Sequence, residues 1–507
     1  MTFAKPFGAA VFVSAVMCAT LARADITPEQ VWQAYKDYSA SMGSTITATE
    51  SRDGAALVLK KVTATASRDG KVVSELVLDE VRLTDKGDGS VDVTMPEKST
   101  ATTTITPEKG PPIVQTINLT QQGYVNNVSG TPEDLVLKTT AAEFGASLTI
   151  VPPKGAPADA PQSVDVTVKM TGLDALTAVK TDGTMRKGDG SGTVQALSII
   201  VEGMDEKGSK VNADIGIAGL SGKANFVSPL AGVTDIGKAI AGGFDINYSV
   251  AATSMTGKIS ADGPDGKVDA DLSGGAQTST FAMSKQGLSG DSALQDLKVA
   301  ISGPMPMPVD LSVAKVGSSF AMPIMKSDTA QPAALKLNID GLQISDSLWK
   351  MFDAEGKLPH DPANILLDLS AQLKPLVDIF DEAQMAEFEK THKVGDGATT
   401  SPPFEAEAAK INALQVKALG ADLTGTGDFT FDNSGPAPKP TGKMDLSLTG
   451  ATRLMDTLSS MGLLPSDQVM GYKMMLGMFT VPAGDDAVKT TIEFKDDGMY
   501  VNGQKMG

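Results

Sequence analysis

The chain has 507 residues, more than one hydrophobic core normally absorbs, and a formal net charge of −18, so two or more domains or an extended sheet system are expected. That acidity sets it against phosphate backbones and anionic headgroups, which excludes nucleic-acid binding and docking to membranes through a basic face. Aromatics are sparse at 5%, and Thr, Ala, Gly, Asp and Val fill their place, a composition suited to many short strands joined by Gly- and Asp-bearing turns.

At the N-terminus, Lys5, the apolar run Gly8 to Leu21 and Ala22-Arg23-Ala24 form the pattern of a secretory signal, cleaved between Ala24 and Asp25. The run is shorter than the roughly 20 residues of a spanning helix, which sets cleavage against an uncleaved anchor. Met17 before Cys18 is too large for the usual lipidation motif. Cys18 is the only cysteine, so the mature chain has no disulfide, thiolate nucleophile or thiolate metal site. Loss of Lys5 and Arg23 takes the charge from −18 to −20. The expected location is the bacterial periplasm, or outside the cell, with no transmembrane segment in the mature chain.

Thr27-Pro28-Glu29-Gln30 predicts a helix start, with Thr27 as N-cap. Its helix carries Val31, Trp32, Tyr35 and Met42 and stops at Gly43. Hairpin signals follow at Asp53-Gly54, Asp69-Gly70 and Asp88-Gly89, between strands at Leu57 to Leu59, Val72 to Val77 and Val91 to Val93. Further strands are expected at Ile113 to Leu119 and Leu135 to Leu137, then a linker from Pro152 to Pro161. Val164, Val166, Val168 and Met170 alternate with polar residues, a half-buried strand that should end at Gly172. The β-series continues to Ile301, and the proline run 302–308 sets the expected boundary between regions 25–303 and 304–507.

In the second region Leu335, Leu337 and Ile339 alternate up to Gly341, and a helix capped at Ser345 carries Leu348, Trp349 and Phe352. Gly356-Lys357-Leu358-Pro359-His360-Asp361 follows it, and the phrase G-x-L-P-x-D recurs at Gly462 to Asp467. This reads as a repeated strand–helix unit. Between the copies lie a strand at Ile365 to Leu369, a helix over Pro375 to Lys390, a loop from Val394 to Pro403 and strands at Ile411 to Leu419 and Leu423 to Phe431. The second copy opens with Met444, Leu446 and Leu448 on one strand face, then Gly450 and a helix with Leu454, Leu458 and Met461. A Met-rich helix and a hairpin turned at Asp496-Asp497-Gly498 close the chain. The fold class expected is α+β and β-rich: twisted, mostly antiparallel sheets, elongated, with short helices capping ends and edges. Trp32, Trp349, Leu454, Leu458, Met474 and Met478 are the expected helix anchors.

Chemistry-bearing motifs are few. His360 and His392 are the only histidines, and solvated positions are expected for both. Gly232 to Lys238 resembles a phosphate-binding loop, but Ala239 stands where a magnesium-binding hydroxyl is needed. Ser312 to Lys315 and Ser347 to Lys350 match S-x-x-K without the companion motifs. Asp85 to Gly89 and Asp262 to Gly266 read as turns, not calcium loops. Met470, Met474, Met475 and Met478 could offer thioethers to Cu(I), but their spacing equally makes an apolar helix face that packs in the core. No catalytic, cofactor-binding or metal-ligating residue is assigned.

Gly462-Leu463-Leu464-Pro465, Met470-Gly471, Met474 to Gly477, Thr490 to Lys495 and Tyr500 to Gln504, with the Val31-Trp32 helix and the Leu423 to Gly427 strand, carry a resemblance. The chain resembles the exported alphaproteobacterial family labelled domain of unknown function 2125, and in style is similar to AsmA-like envelope proteins. The first likeness implies no catalytic residue or cofactor. The second implies long sheets with short helices at their ends, and lipid handling. The function expected is non-enzymatic: an apolar sheet face that binds a lipid or other hydrophobic ligand, or an envelope protein. A scaffold whose sheets close on each other without a groove is the alternative, and an enzyme is the third reading.

Overall fold

The computed structural model describes residues 25–68, 71–105, 113–151, 161–205, 210–230, 235–263, 266–305, 307–394, 399–435 and 437–506. The fold is β-rich α+β, with six short helices among these residues and antiparallel pairing at every described ladder that we name below. The chain divides into two compact units: one up to Thr253 together with Ile259–Pro264, the other Ser254–Lys258 with Asp265–Gly507. The signal pattern, including Ala24, and most of the expected linker at 152–160 lie outside the described residues.

The first unit begins with α1 (Pro28–Ser41). The Thr27 hydroxyl accepts from Gln30 N–H at 3.3 Å and the Gln30 side chain accepts from Thr27 N–H at 2.9 Å, a reciprocal cap. The helix ends at Met42, with Gly43 at φ +71°. Its Val31 and Trp32 bury against Leu57, Leu59, Leu83, Val91, Val93 and Val128, the one closed hydrophobic cluster among the described residues. Trp32 donates its indole N–H to Glu50 at 2.6 Å, so a buried donor is satisfied at the cluster's rim.

The alternation at Val164 to Met170 is as expected, each apolar residue less exposed than its polar neighbours. Gly172 does not end that strand, which runs Pro161–Asp182. A glycine at φ +62° is accommodated within it, the Gln195 side chain occupying the space a Cβ would need. Of the Gly232 to Lys238 motif the first three residues lie outside the described residues, and the rest leads into helix α2 (Ile236–Ala241), which the Asp235 carboxylate caps by accepting from Lys238 N–H at 3.1 Å.

The second unit is a run of antiparallel strands that pair largely in chain order. The proline run at 302–308 is the connection of a hairpin, since Ile301 pairs with Val309, and the expected boundary there falls inside this unit. Helix α3 (Asp346–Phe352) is capped as expected, Ser345 Oγ accepting from Leu348 N–H at 3.4 Å. The strand before it passes through Gly341, which sits at φ +69° as a bulge rather than a terminator. The strand Ala363–Pro375 ends on the residue expected to open a helix, and α4 (Glu382–Thr391) starts only where Asp381 accepts from Ala383 and Gln384 N–H, both at 2.9 Å.

The repeated phrase has a shared geometry. Gly356 and Gly462 both turn the chain at positive φ, +64° and +73°, just after α3 and α5 (Ala451–Ser460). The copies then part: the first returns to a strand, the second enters α6 (Ser466–Phe479). Gly450, at φ +76°, would place a Cβ 2.2 Å from the Gly420 carbonyl oxygen. Gly450→Ala is expected to cost more than about 2 kcal/mol, against about 1 kcal/mol for Gly462→Ala, which meets open space. Urea unfolding of the two variants checks the difference.

Candidate functional site

Directly paired residues in a ladder point to the same side of the sheet, so register decides what each face presents. Phe320, Leu335, Leu369, Ile411, Gly427, Met444, Ile492 and Val501 form one cross-strand row in the second unit. Leu337, Leu367, Leu414, Gly425 and Leu446 form the next. Val316, Ile339, Ile365, Val416, Leu423, Leu448 and Val488 form a third. Ile411 and Leu414 are three apart, yet both belong, because a bulge at Asn412 inserts one extra residue between them.

The opposite face is charged and hydrogen-bonded. Lys336 pairs with Asp368 at 3.2 Å, Lys410 with Asp428 at 2.8 Å and Lys443 with Asp445 at 3.1 Å. Asn412 donates to Asp368 at 2.9 Å.

An apolar face of this kind normally lies against a second layer. Here part of it is open among the described residues: Phe320, Leu335, Leu337, Ile365 and Val416 are 38–43% exposed. Of all the row residues only Gly425 is buried. From Val309–Met322 to Ala487–Lys495, seven strands with six spacings of about 4.8 Å make the face about 29 Å wide, and Val501 on Gly498–Val501 extends the first row by one strand more.

A cleft of about 710 Å³ lies in the same unit, lined by Leu272, Val299, Leu311 and Ile344, themselves one register row, together with Trp349 and His360. Its volume is in the range of small-ligand sites. His360 is not a free solvated residue. Its ring stacks on Trp349 at 3.9 Å and its Nε2 lies 3.0 Å from Asp353 Oδ2. The Asp353 carboxylate is fully buried and also accepts from Lys357 and Leu358 N–H at 2.8 Å each. Burial pushes its pKa up, but the Leu358 and Lys357 amides and His360 outweigh that and hold it below the usual carboxylate value. A depressed folded-state pKa stabilises above the unfolded value, near 4, and that stabilisation is lost as pH falls through the depressed value. Asp353→Asn is therefore expected to lower the melting temperature at pH 7 and to flatten its decline below pH about 4, measured by calorimetry across pH.

His392 is also held, stacked on Phe388 at 3.9 Å with Nδ1 2.8 Å from Thr391 Oγ1. Among the described residues no three His, Cys, Asp or Glu side chains converge as metal ligands. In the turn at Asp85 to Gly89, Asp85 and Asp88 accept from Gly87 and Ser90 N–H at 2.8 and 3.0 Å, internal bonds that shape a hairpin connection.

The expected helix anchors divide. Trp32 and Trp349 are buried at 2% and 9% exposure. Leu454 and Leu458 are half-buried on α5, which packs by the strand Ala421–Asp432 and by α6. Met474 and Met478 are not anchors: they are 64% and 68% exposed. The side of α6 turned inward carries Val469, Lys473 and Leu476 instead, and at 100° per residue Met474 and Met478 lie well round from it. Sequence reasoning expected an apolar sheet face but did not place its rows, although each strand's alternation was visible, because pairing order and bulges make the rows.

No curated protein and no solved structure matches the chain, and the expected likeness to AsmA-like envelope proteins finds no support there. A family model, described as uncharacterized protein conserved in bacteria (DUF2125), matches residues 246–507, just over half of the 507 residues. By that match the chain belongs to the DUF2125 family, and the matched span holds the open apolar face and the cleft beside Trp349.

Proposed function

We propose that the protein is a non-enzymatic, exported envelope component that binds an acyl-chain ligand on the open apolar face of its second unit. One observation carries this reading: three register rows of Leu, Ile, Val, Phe and Met run side by side with Phe320, Leu335, Leu337, Ile365 and Val416 open to solvent, while the reverse face carries ion pairs. Contiguous exposed apolar surface marks a binding site. An acyl chain suits this surface better than a protein, since protein interfaces are anchored by Trp, Tyr and Arg and the rows contain none. A single extended chain suits a surface whose rows are apolar and are flanked in the middle row only by the hydroxyls of Ser318 and Thr490. Export is supported by Ala22-Arg23-Ala24 ahead of Asp25.

Native mass spectrometry of the protein recovered from the bacterial envelope tests both halves. The expected result is a chain starting at Asp25 that carries co-purifying lipid and takes up labelled fatty acid when delipidated. A lipid-free protein that takes up no labelled fatty acid or phospholipid overturns the ligand assignment.

A further inference from the structure

Helix α6 presents an unusual surface. Eight of the 29 exposed large hydrophobic residues of the described chain fall between Leu463 and Val481, far more than so short a stretch would hold by an even spread. On the helix itself Met470, Met474, Met478, Met475, Phe479 and Tyr472 follow one another round an arc of about 200° at 100° per residue. A Cβ added at Gly471 or Gly477 would meet nothing within 4 Å, so the helix is free of covering atoms there too. A helix so broadly apolar cannot be satisfied by lying on one side of its own sheet.

The charge pattern narrows the occupant. From Met461 to Gly484 the only charged residues are Asp467 and Lys473, and Lys473 is neutralised by Asp456 at 2.5 Å. In a chain of net charge −18, this leaves an almost uncharged patch, matched to an electrically neutral, zwitterionic bilayer and mismatched to an anionic one. At 14 residues the helix is about 21 Å long, short of the roughly 30 Å hydrocarbon core, so it would lie in the interface rather than cross. Methionine, flexible and polarisable, fits a fluid surface. The helix also sits between Lys439–Thr449 and Ala487–Lys495, two strands of the open apolar face, so the surface is continuous in the chain with the ligand-binding face.

We propose that α6 docks the protein on the surface of a zwitterionic phospholipid bilayer, inserting Met470, Met474 and Met478. The inference deepens the acyl-chain reading above, the bilayer being the source or destination of the ligand. Flotation of the full chain with phosphatidylcholine vesicles tests it, against a triple variant Met470→Lys, Met474→Lys, Met478→Lys. These side chains are 64–68% exposed, so the variant should keep the parent melting temperature. The expected result is at least tenfold weaker flotation of the triple variant, and weaker flotation of the parent on phosphatidylglycerol vesicles. A Tyr472→Trp variant should show a blue-shifted emission on phosphatidylcholine. Parent protein that stays off the vesicles, or a triple variant that floats equally well, overturns the proposal. So does a dimer in light scattering that the triple variant dissolves, which would make α6 a self-association surface. Uptake of labelled fatty acid from vesicle-free solution should be the same in parent and variant; its absence in both, with methionine-dependent flotation retained, would remove the ligand reading and leave the docking intact.

Discussion

Leu83→Ala is expected to destabilise the N-terminal end of the first unit by about 3–5 kcal/mol, the cost of opening a cavity in a closed core. Leu83 is fully buried and touches the cluster built by Val31, Trp32 and Leu59. A loss of that size is a large part of a typical domain's stability, and the variant should unfold at markedly lower urea concentration. Trp32 fluorescence reports the event from inside the cluster. The control is Leu337→Ala, which truncates the same side chain in a mid-sheet position that is 43% exposed. Little water is excluded there, so a cost below about 1 kcal/mol is expected. Equal costs at the two sites would show that the apolar face of the second unit is covered after all.

The paired substitution Leu337→Asp, Leu367→Asp should weaken fatty-acid binding at least a hundredfold, about 2.8 kcal/mol at 1.4 kcal/mol per tenfold. The two side chains oppose each other across neighbouring strands in the middle row. An acyl chain laid over them would have to strip water from two carboxylates, which costs far more than it returns. Since Leu337 already faces water, the variant should still fold. Ser447→Asp is the matched control: it lies between Leu446 and Leu448 on the reverse face, paired with Lys489. Binding should be unchanged by it. A double variant that binds as well as the parent would move the ligand elsewhere.

What could be read from the sequence was local, and what could not depended on partners. The caps at Thr27 and Ser345 were legible because a hydroxyl three or four residues ahead of an apolar run has few other uses. The alternation at Val164 to Met170 and at Met444 to Leu448 was legible because one wet face imposes a period of two. Gly172 and Gly341 misled, since a glycine at positive φ serves a bulge as well as a strand end. Pro375 misled in the same way: the last residue of Ala363–Pro375 and the first turn of a helix both tolerate a missing N–H. Met474 and Met478 looked like core because spacing alone cannot tell which way an apolar helix face turns. The candidate site was half legible. One-sided strands were expected, but the rows that join them arise from pairing order and from the extra residue at Asn412.

The chain-order pairing of the second unit has a consequence for how it is made. Each long strand from Gly287–Ser302 to Lys439–Thr449 finds its partner in the strand just before or after it along the chain. Most loops to be closed are therefore short, the connection 376–403 between Ala363–Pro375 and Phe404–Ala418 being the long one, and the entropy spent on most new pairings is small. Such a sheet can grow strand by strand, in the order in which the chain is synthesised, without waiting for its C-terminus. Amide protection during refolding should then spread outward through adjacent hairpins rather than appear everywhere at once.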